Sequence, residues 1–404
     1  MVADLDTITI EEATERLIDY RGKTPPKTGS GVRLITAKVV KGGQILDEPK
    51  EFIAADFYEE WMQRGLPQKL DVLITTEAPL GELAILRDSE KVALAQRIIL
   101  LRARSGKVDP LFLFYALQSD FGQSELKARA SGTTVSGIKQ SELRQVRIPI
   151  FSLPVQKRIA DILSAYDDLI ENNQRRIRIL EEMARSLYRE WFVHFRFPGH
   201  DKVKMVSSSL GPIPQGWEVK KLGNLISYNR FATKPGPHLD DRRYVPIDCL
   251  PSKNLALLEA KPIEEAQSSL QLFEKGDILF GAMRPYFHKV VVAPFAGVTR
   301  TTCFVLKPTR PEWHAFATMT AFRESTVAYA NAHSQGATIP YAVWEGSLAD
   351  MPLVIPPDAL LRRFEKAVEP MLTRISLSFF VLTNLRRTRD LLLPRLLSGA
   401  VGTF

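Results

Sequence analysis

The sequence predicts a mixed α+β protein built from two tandem copies of one plan, with an internal pseudo-two-fold symmetry. Two observations lead to this prediction. The two halves of the chain match at an offset of about 205 residues, and a long helical pattern closes each half. With 404 residues the chain is also too long for one ordinary core, so at least two domains are expected.

The repeat is visible in three places. In each half, a basic and an acidic residue lead into an apolar strand, a Gly/Thr loop follows, and a short strand precedes the long helix. The matching segments are Lys69–Ile74 with Lys275–Phe280, Gly132–Val135 with Gly336–Ile339, and Arg147–Ile150 with Asp350–Leu353. The predicted boundaries are a mixed domain over 1–150, a long helix over 151–197, a linker over 198–216, a second mixed domain over 217–356, and a second long helix with its tail over 357–404.

Within the mixed domains, β-rich apolar runs predict strands and 3.6-residue periodicity predicts helices. The first domain has predicted strands at Val32–Thr36, Asp71–Thr75, Leu83–Leu86 and Arg97–Leu101, and predicted helices at Glu11–Asp19, Asp56–Gln63 and Leu111–Ser119. The second has predicted strands at Tyr244–Ile247, Asp277–Phe280, Lys289–Val292 and Cys303–Leu306, and a predicted helix at Glu312–Phe322. The Pro-, Gly- and Ser-rich stretch before Trp217 predicts the linker.

The long helices show the spacing of a coiled-coil seam. In the first helix the seam residues are predicted to be Ile159, Ile162, Tyr166, Leu169, Leu180, Met183 and Leu187; in the second they are Phe364, Met371, Ile375, Leu382, Leu385 and Leu392. Two matched amphipathic helices in one chain are expected to pair antiparallel, which places the mixed domains at opposite ends. Two such domains about 35 Å apart would meet a DNA duplex one helical turn apart.

Composition limits the class of protein. A formal net charge of +8 favours a polyanionic partner, although a merely soluble basic protein remains equally compatible with charge alone. Two cysteines without a CxxC pair argue against a disulfide scaffold or a zinc module, and we expect neither a metal nor a cofactor. The acidic start and the lack of a long apolar run argue against a signal peptide and a membrane span, so a cytoplasmic protein is expected.

Several segments resemble the specificity subunits of type I restriction–modification complexes. Gly211-Pro-Ile-Pro-Gln-Gly-Trp217 with Leu222-Gly223 resembles the opening of a target-recognition domain, as does Gly276–Phe280 leading into Arg284-Pro-Tyr286. Leu153–Ile159 through Trp191 resembles the first family helix, and Leu391–Gly399 the end of the second. The first domain departs from the pattern because it lacks a Gly-Trp opening.

This resemblance implies a non-catalytic subunit that binds double-stranded DNA, two methyltransferase (modification) subunits and, in the full complex, restriction (motor-nuclease) subunits. Each recognition domain would read one half of a split target, and the long helices would set the unread spacer. A stand-alone bipartite DNA-binding regulator is the alternative; an enzyme with an unrecognised site is a third.

Candidate DNA contacts are basic and hydroxyl side chains on Gly/Pro-rich loops, because such groups hold phosphates and reach base edges. In the first domain they are Arg21, Lys23, Lys27, Ser131, Thr133, Thr134 and Lys139. In the second they are Arg230, Lys234, Arg242, Arg243, Arg284, His288, Ser334 and Thr338. Tyr286 and Phe287 fit a core role as well as a contact, and His314 is expected to be a packed or surface histidine.

No catalytic residue is predicted. Pro356-Pro357 is followed by Asp358 rather than an aromatic residue, and a glycine-rich cofactor loop after a strand is missing, so a DNA methyltransferase is not indicated. The Pro357-Asp358 pair lies after every Glu-x-Lys triplet, which argues against a nuclease of that type, and no Walker phosphate loop occurs.

Overall fold

A computed structural model describes residues 6–20, 24–132, 136–228 and 230–399. The chain forms two compact units. Unit 1 comprises Met1–Asp168 together with Arg386–Phe404, and unit 2 comprises Leu169–Leu385. Both long helices therefore contribute residues to both units. Among the described residues, no helix is long and apolar enough to cross a bilayer.

Unit 1 is a mixed α/β unit whose elements are mostly short. Its strands are β1 (Thr7–Thr9), β2 (Thr14–Asp19), β3 (Val32–Ile35), β4 (Val40–Lys41), β5 (Gln44–Ile45), β6 (Phe52–Ile53), β7 (Val72–Thr76), β8 (Leu80–Ile85), β9 (Val92–Leu94), β10 (Ile98–Ala103) and β11 (Arg147–Pro149). Its shorter helices are α1 (Ile10–Ala13), α2 (Tyr58–Trp61), α3 (Pro110–Gln118), α4 (Asp120–Ala128) and α5 (Gln140–Arg144). The main sheet has the strand order β2-β10-β7-β8, and β1 pairs separately with β11.

The strands predicted in unit 1 are confirmed, and α3 matches its predicted helix to within a residue at each end. The predicted helix at Glu11–Asp19 is wrong. Only Ile10–Ala13 is helical, and Thr14–Asp19 forms β2, whose Leu17 lies opposite Leu101 of β10. The burial of Ile18, a residue of β2, outweighs the helix propensity of the Glu-rich segment.

The first long helix, α6, runs from Leu153 to Tyr188 without a break and continues as a π-helical turn over Arg189–Val193. Unit 2 begins within this helix, at Leu169.

Unit 2 repeats the plan of unit 1. Its strands are β12 (Met205–Ser208), β13 (Gly211–Pro214), β14 (Glu218–Lys221), β15 (Ile226–Tyr228), β16 (Ala232–Thr233), β17 (Arg243–Tyr244), β18 (Leu270–Phe273), β19 (Ile278–Gly281), β20 (Val290–Val292), β21 (Gly297–Arg300), β22 (Cys303–Pro308) and β23 (Pro352–Ile355). Its helices are α7 (His314–Phe322), α8 (Glu324–Ala332) and the second long helix α9 (Asp358–Leu397). The sheet order β15-β22-β19-β20 corresponds to β2-β10-β7-β8, and the pair β14-β23 corresponds to β1-β11.

Three predicted strands of unit 2 are confirmed, while the fourth is reduced to the two residues of β17. The predicted linker over 198–216 contains the β12–β13 hairpin, in which Val206 lies opposite Ile213. The ring of Trp217 then packs 5.3 Å from the ring of Phe197, which ties the chain after the hairpin to the residues before it.

The long helices pack antiparallel in each unit. In unit 2 the ring of Trp191, in the π-helical turn after α6, lies 5.7 Å from that of Phe364 near the start of α9. In unit 1 Asp167 of α6 pairs with Arg389 near the end of α9 at 2.7 Å. The predicted fold class, with two long antiparallel helices and β-rich domains, is confirmed.

The seam residues differ from those predicted in α6. Leu169 and Met183 are 50% and 47% exposed, whereas Ile170 and Ala184 beside them are buried. The buried positions recur every seven residues as Leu163, Ile170, Ile177 and Ala184, and in α9 as Leu361, Val368, Ile375 and Leu382. The predicted period is therefore correct, but part of the α6 seam is displaced by one residue.

Candidate nucleic-acid interface

Each unit closes a loop with the same hydrogen bonds, after α4 in unit 1 and after α8 in unit 2. In unit 1 the backbone groups of Ser131 and Gly137 exchange bonds of 2.8 and 2.9 Å, and Ile138 N–H donates to the Thr76 carbonyl at 3.0 Å. In unit 2 Gln335 and Tyr341 exchange two bonds of 2.8 Å, and Ala342 N–H donates to the Ala282 carbonyl at 2.8 Å. The Gly/Thr loops recognised in the sequence are thus equivalent in structure, and each is tied to the end of a central strand.

The predicted contacts in the unit 1 loop are only partly described. Ser131 and Lys139 are exposed, and Lys139 occupies the N-cap position of α5 without a side-chain capping bond. Thr133 and Thr134 lie outside the described residues. The exposed ammonium of Lys139 beside a loop of small residues is suited to a phosphate contact.

The other predicted loop of unit 1 spans 21–31. Arg21 and Lys23 lie outside the described residues. Lys27 is described, and its ammonium lies 2.7 Å from the Glu51 carboxylate, which holds the pKa of Glu51 below its usual range. Lys27 would have to leave or share this partner in order to contact a phosphate.

In unit 2 the four predicted basic residues between positions 230 and 243 separate into two kinds. Arg230, Lys234 and Arg243 are exposed, with Arg230 stacked over the Tyr228 ring at 5.2 Å. Arg242 is half-buried and donates to the carbonyls of Phe273 and Gly297 and to the Glu274 carboxylate. The first three have free surface for an anion, whereas Arg242 is already engaged within the unit.

The remaining predicted residues lie on the Gly/Thr loop and on the turn after β19. Thr338 is exposed, and Ser334 is half-buried with its hydroxyl donating to the Asn331 carbonyl at 2.7 Å. Arg284 is half-buried at the start of the turn. His288 is buried, with Nε2 2.8 Å from the Phe322 carbonyl, and burial lowers the pKa of His288.

Two aromatic clefts were not anticipated from the sequence. In unit 1, Tyr20 stacks on Trp61 at 5.6 Å within a cleft of about 500 Å³ that also includes Arg64. In unit 2, a cleft of about 610 Å³ is lined by Tyr228, Phe304, Tyr341 and Trp344. Aromatic faces beside an arginine are suited to stacking on nucleobases. The only sequence signal was the position of Tyr20 immediately before a predicted contact loop.

One group of side chains in the described part of the chain has the composition of a metal site: His314, Glu365 and Glu369. His314 Nδ1 lies 2.7 Å from Glu369 Oε2, and Nε2 lies 2.8 Å from the Gly276 carbonyl, so both ring nitrogens face acceptors. Burial lowers the pKa of His314, but its contacts with Glu369 outweigh this and leave the pKa raised. A protonated imidazole satisfies both acceptors, and we assign the group as an ion pair that attaches α9 to α7.

Comparison with known proteins finds similarity to one family. Residues 31–182 match the family described as type I restriction modification DNA specificity domain. The chain is 28% identical over 345 residues to the type I restriction enzyme MjaIX specificity subunit of Methanocaldococcus jannaschii, covering 81% of this chain and 77% of that protein. It is 32% identical over 154 residues to a putative MjaX specificity subunit of the same organism, covering 37% and 35% of the two chains.

A solved structure is similar to this chain at the level of fold. The crystal structure of a type I restriction-modification system S subunit from M. genitalium superposes with a TM-score of 0.61 at 16% identity. The match covers 98% of this chain and 96% of that chain. On these grounds, the chain is similar to type I restriction–modification specificity subunits in sequence over most of its length and in fold.

Proposed function

We propose that this chain reads a bipartite target in double-stranded DNA and directs the subunits of a type I restriction–modification complex to it. The observation that supports this most directly is the repeated loop closure, Ser131 with Gly137 and Gln335 with Tyr341, at the end of a central strand in each unit. The same loop backbone occurs in both units, but its exposed side chains differ. This arrangement is suited to reading two different half-sites. The domain boundaries predicted from the sequence remain our proposal for the two recognition domains.

Charge and hydrogen-bonding groups on these loops support contact with DNA. Exposed cations at Lys139, Arg230, Lys234 and Arg243 are available to neutralise phosphates, which is the main sequence-independent part of DNA affinity. Hydroxyl groups at Ser131 and Thr338 add short donors near the backbone. We keep Arg21, Lys23, Lys27, Thr133, Thr134, Arg242, Arg284, His288 and Ser334 as further predicted contacts.

The chain supplies recognition, and methyl transfer and cleavage belong to partner subunits. We propose two modification subunits as partners, one for each repeat, and restriction subunits in the full complex. The proposed site of action is the cytoplasm, where bacterial and archaeal DNA is accessible.

Genome-wide mapping of methylated bases, with and without the gene for this chain, tests the proposal. A bipartite methylation motif that disappears with the gene is expected, together with capture of a methyltransferase by the tagged chain. If the purified chain binds one DNA sequence tightly without a methyltransferase, and captures none, the alternative of a stand-alone regulator is favoured.

A further inference from the structure

The turn that follows β19 has an unusual backbone. We call residues 284–288 the aromatic turn. Its first and last residues, Arg284 and His288, have φ values of 52° and 51°, in the left-handed region that non-glycine residues rarely adopt. Such conformations persist where surrounding contacts fix them, and they are concentrated at functional sites.

Three hydrogen bonds fix both ends of the aromatic turn. Arg284 N–H donates to the Pro340 carbonyl of the Gly/Thr loop at 2.8 Å. Lys253 N–H donates to the His288 carbonyl at 2.8 Å, and the buried His288 ring is held by the Phe322 carbonyl. The turn is therefore held in one conformation before any ligand arrives, which lowers the ordering cost of binding.

The tip of this fixed turn presents apolar rings to solvent. Tyr286 and Phe287 are 51% and 44% exposed, with ring centroids 4.7 Å apart. Ile339, which precedes the Pro340 that accepts from Arg284, is 46% exposed. Single exposed apolar residues are common. Adjacent exposed apolar residues on a rigid turn favour a role for that surface in binding a ligand or partner.

Unit 1 has a shorter turn at the corresponding position, between β7 and β8. Ala78 follows β7, has a φ of 49° and precedes Pro79, just as Arg284 precedes Pro285. Glu77 bridges to Gly137 and Met283 bridges to Tyr341, so both turns contact the Gly/Thr loop of their own unit. At the position aligned with Tyr286, unit 1 carries the half-buried Leu80, which is the first residue of β8.

We propose that Tyr286 and Phe287 pack against the bases of one half-site and are specificity-determining residues of unit 2. This inference rests on the proposed function and identifies the chemistry of one contact. Aromatic side chains pack on base faces and on the thymine methyl group, and apolar side chains inserted between base steps reshape the duplex. Arg284, at the base of the turn, supplies a cation for the adjoining phosphate.

The test uses the full chain in complex with its modification subunit. The double variant Tyr286→Ala/Phe287→Ala is compared with the wild type for binding to the cognate duplex and for the genome-wide methylation motif. We expect affinity for the cognate site to fall about tenfold and base preference to relax in one half of the motif only. Leu80→Ala, at the aligned position of unit 1, should leave that half unaltered, and Tyr286→Phe should behave as the wild type.

Two outcomes overturn the inference. One is an unchanged motif and affinity in a double variant whose thermal melting matches the wild type. The other is weakened capture of the modification subunit with unchanged base preference, which assigns the turn to a protein partner. A wild-type complex that methylates no bipartite motif contradicts the proposed function itself and is recognised before any variant is compared.

Discussion

Arg389 and Asp167 form an ion pair of 2.7 Å although they are 222 residues apart in the chain. The side chains are 20% and 11% exposed, and the second oxygen of Asp167 accepts a 2.6 Å bond from the Tyr115 hydroxyl. Within unit 1, the pair therefore lies where α3, α6 and the end of α9 come together. Its partners explain why charged residues occupy an otherwise apolar seam.

Removing one member of this pair is expected to destabilise unit 1. Asp167→Leu leaves the Arg389 guanidinium in a largely buried position without its main partner, at a cost of about 3 kcal/mol. Urea denaturation measures the free energy of unfolding. Asp390→Ala, which removes an exposed partner of the same arginine, should cost less than about 1 kcal/mol. The double variant Asp167→Leu/Arg389→Leu should recover the part of the loss that comes from the unpaired guanidinium, while the Tyr115 hydroxyl still lacks its acceptor. No recovery at all would show that the unpaired charge is not the cause.

Lys139→Ala is expected to weaken DNA binding similarly across sequences. If the ammonium neutralises one phosphate, the slope of log affinity against log salt should become shallower by about one. Binding titrations over a range of salt concentrations measure the slope. Lys157→Ala, the same charge change on an exposed face of α6, is the control. Equal slopes for the wild type and Lys139→Ala would remove Lys139 from the interface.

The proposed role of the long helices in setting the unread spacer predicts a change in target length. Insertion of seven residues after Arg175 in α6 and seven after Val381 in α9 keeps the heptad phase of both helices. Each helix becomes about 10 Å longer, equivalent to about three base pairs. Methylation mapping should show a spacer lengthened by that amount. The same half-sites at the original spacing would contradict the ruler role.

Glu181 is expected to make unit 2 less stable as the pH rises. The carboxylate is buried and accepts bonds from Leu255 N–H at 2.6 Å and Ala256 N–H at 3.3 Å. Burial is the larger effect and raises the pKa of Glu181 to about 7. Because the folded chain holds this proton more tightly than the unfolded chain, the associated stability is present below the unfolded pKa and is lost as the pH rises through about 7.

The variant Glu181→Gln separates the contribution of Glu181 to the pH dependence of stability from the contributions of other titratable groups. The amide keeps an acceptor for the two N–H groups but does not ionise, so the fall in melting temperature between pH 4.5 and 7 should flatten. Melting curves across this range measure the difference. Glu182→Gln, on an exposed neighbouring position, should leave the pH dependence as in the wild type. A steeper fall in Glu181→Gln would contradict the assignment.

The sequence predicted the parts of the fold that depend on periodicity. The hydrophobic periodicity of the sequence predicts both long helices and the central strands. The matched apolar faces of the two helices led us to expect their antiparallel packing. The segment Thr14–Asp19 could not be assigned from local pattern, because its strand conformation depends on β10, which is far away in the chain. The predicted seam of α6 was wrong at Leu169 and Met183 because the adjacent residues Ile170 and Ala184, which are the buried ones, are also apolar.

The site was less predictable than the fold. The Gly/Thr loops were found because they repeat, and a repeat is visible in sequence. The exposure of Tyr286 and Phe287 could not be predicted from the sequence, since aromatic residues after an apolar strand occur more often in a core. Their orientation depends on the left-handed backbone of Arg284 and His288, which tertiary hydrogen bonds impose.

The composition of unit 1 has a consequence for biosynthesis. Leu396 and Leu397 belong to the same buried cluster as Ile159 and Leu163, so unit 1 includes residues from the last turns of α9 in its core. During translation these leucines leave the ribosome after the whole of unit 2 has been made. The unit whose residues are made first is therefore completed last, and a nascent chain exposes its unfinished apolar surface to chaperones and proteases until synthesis reaches α9.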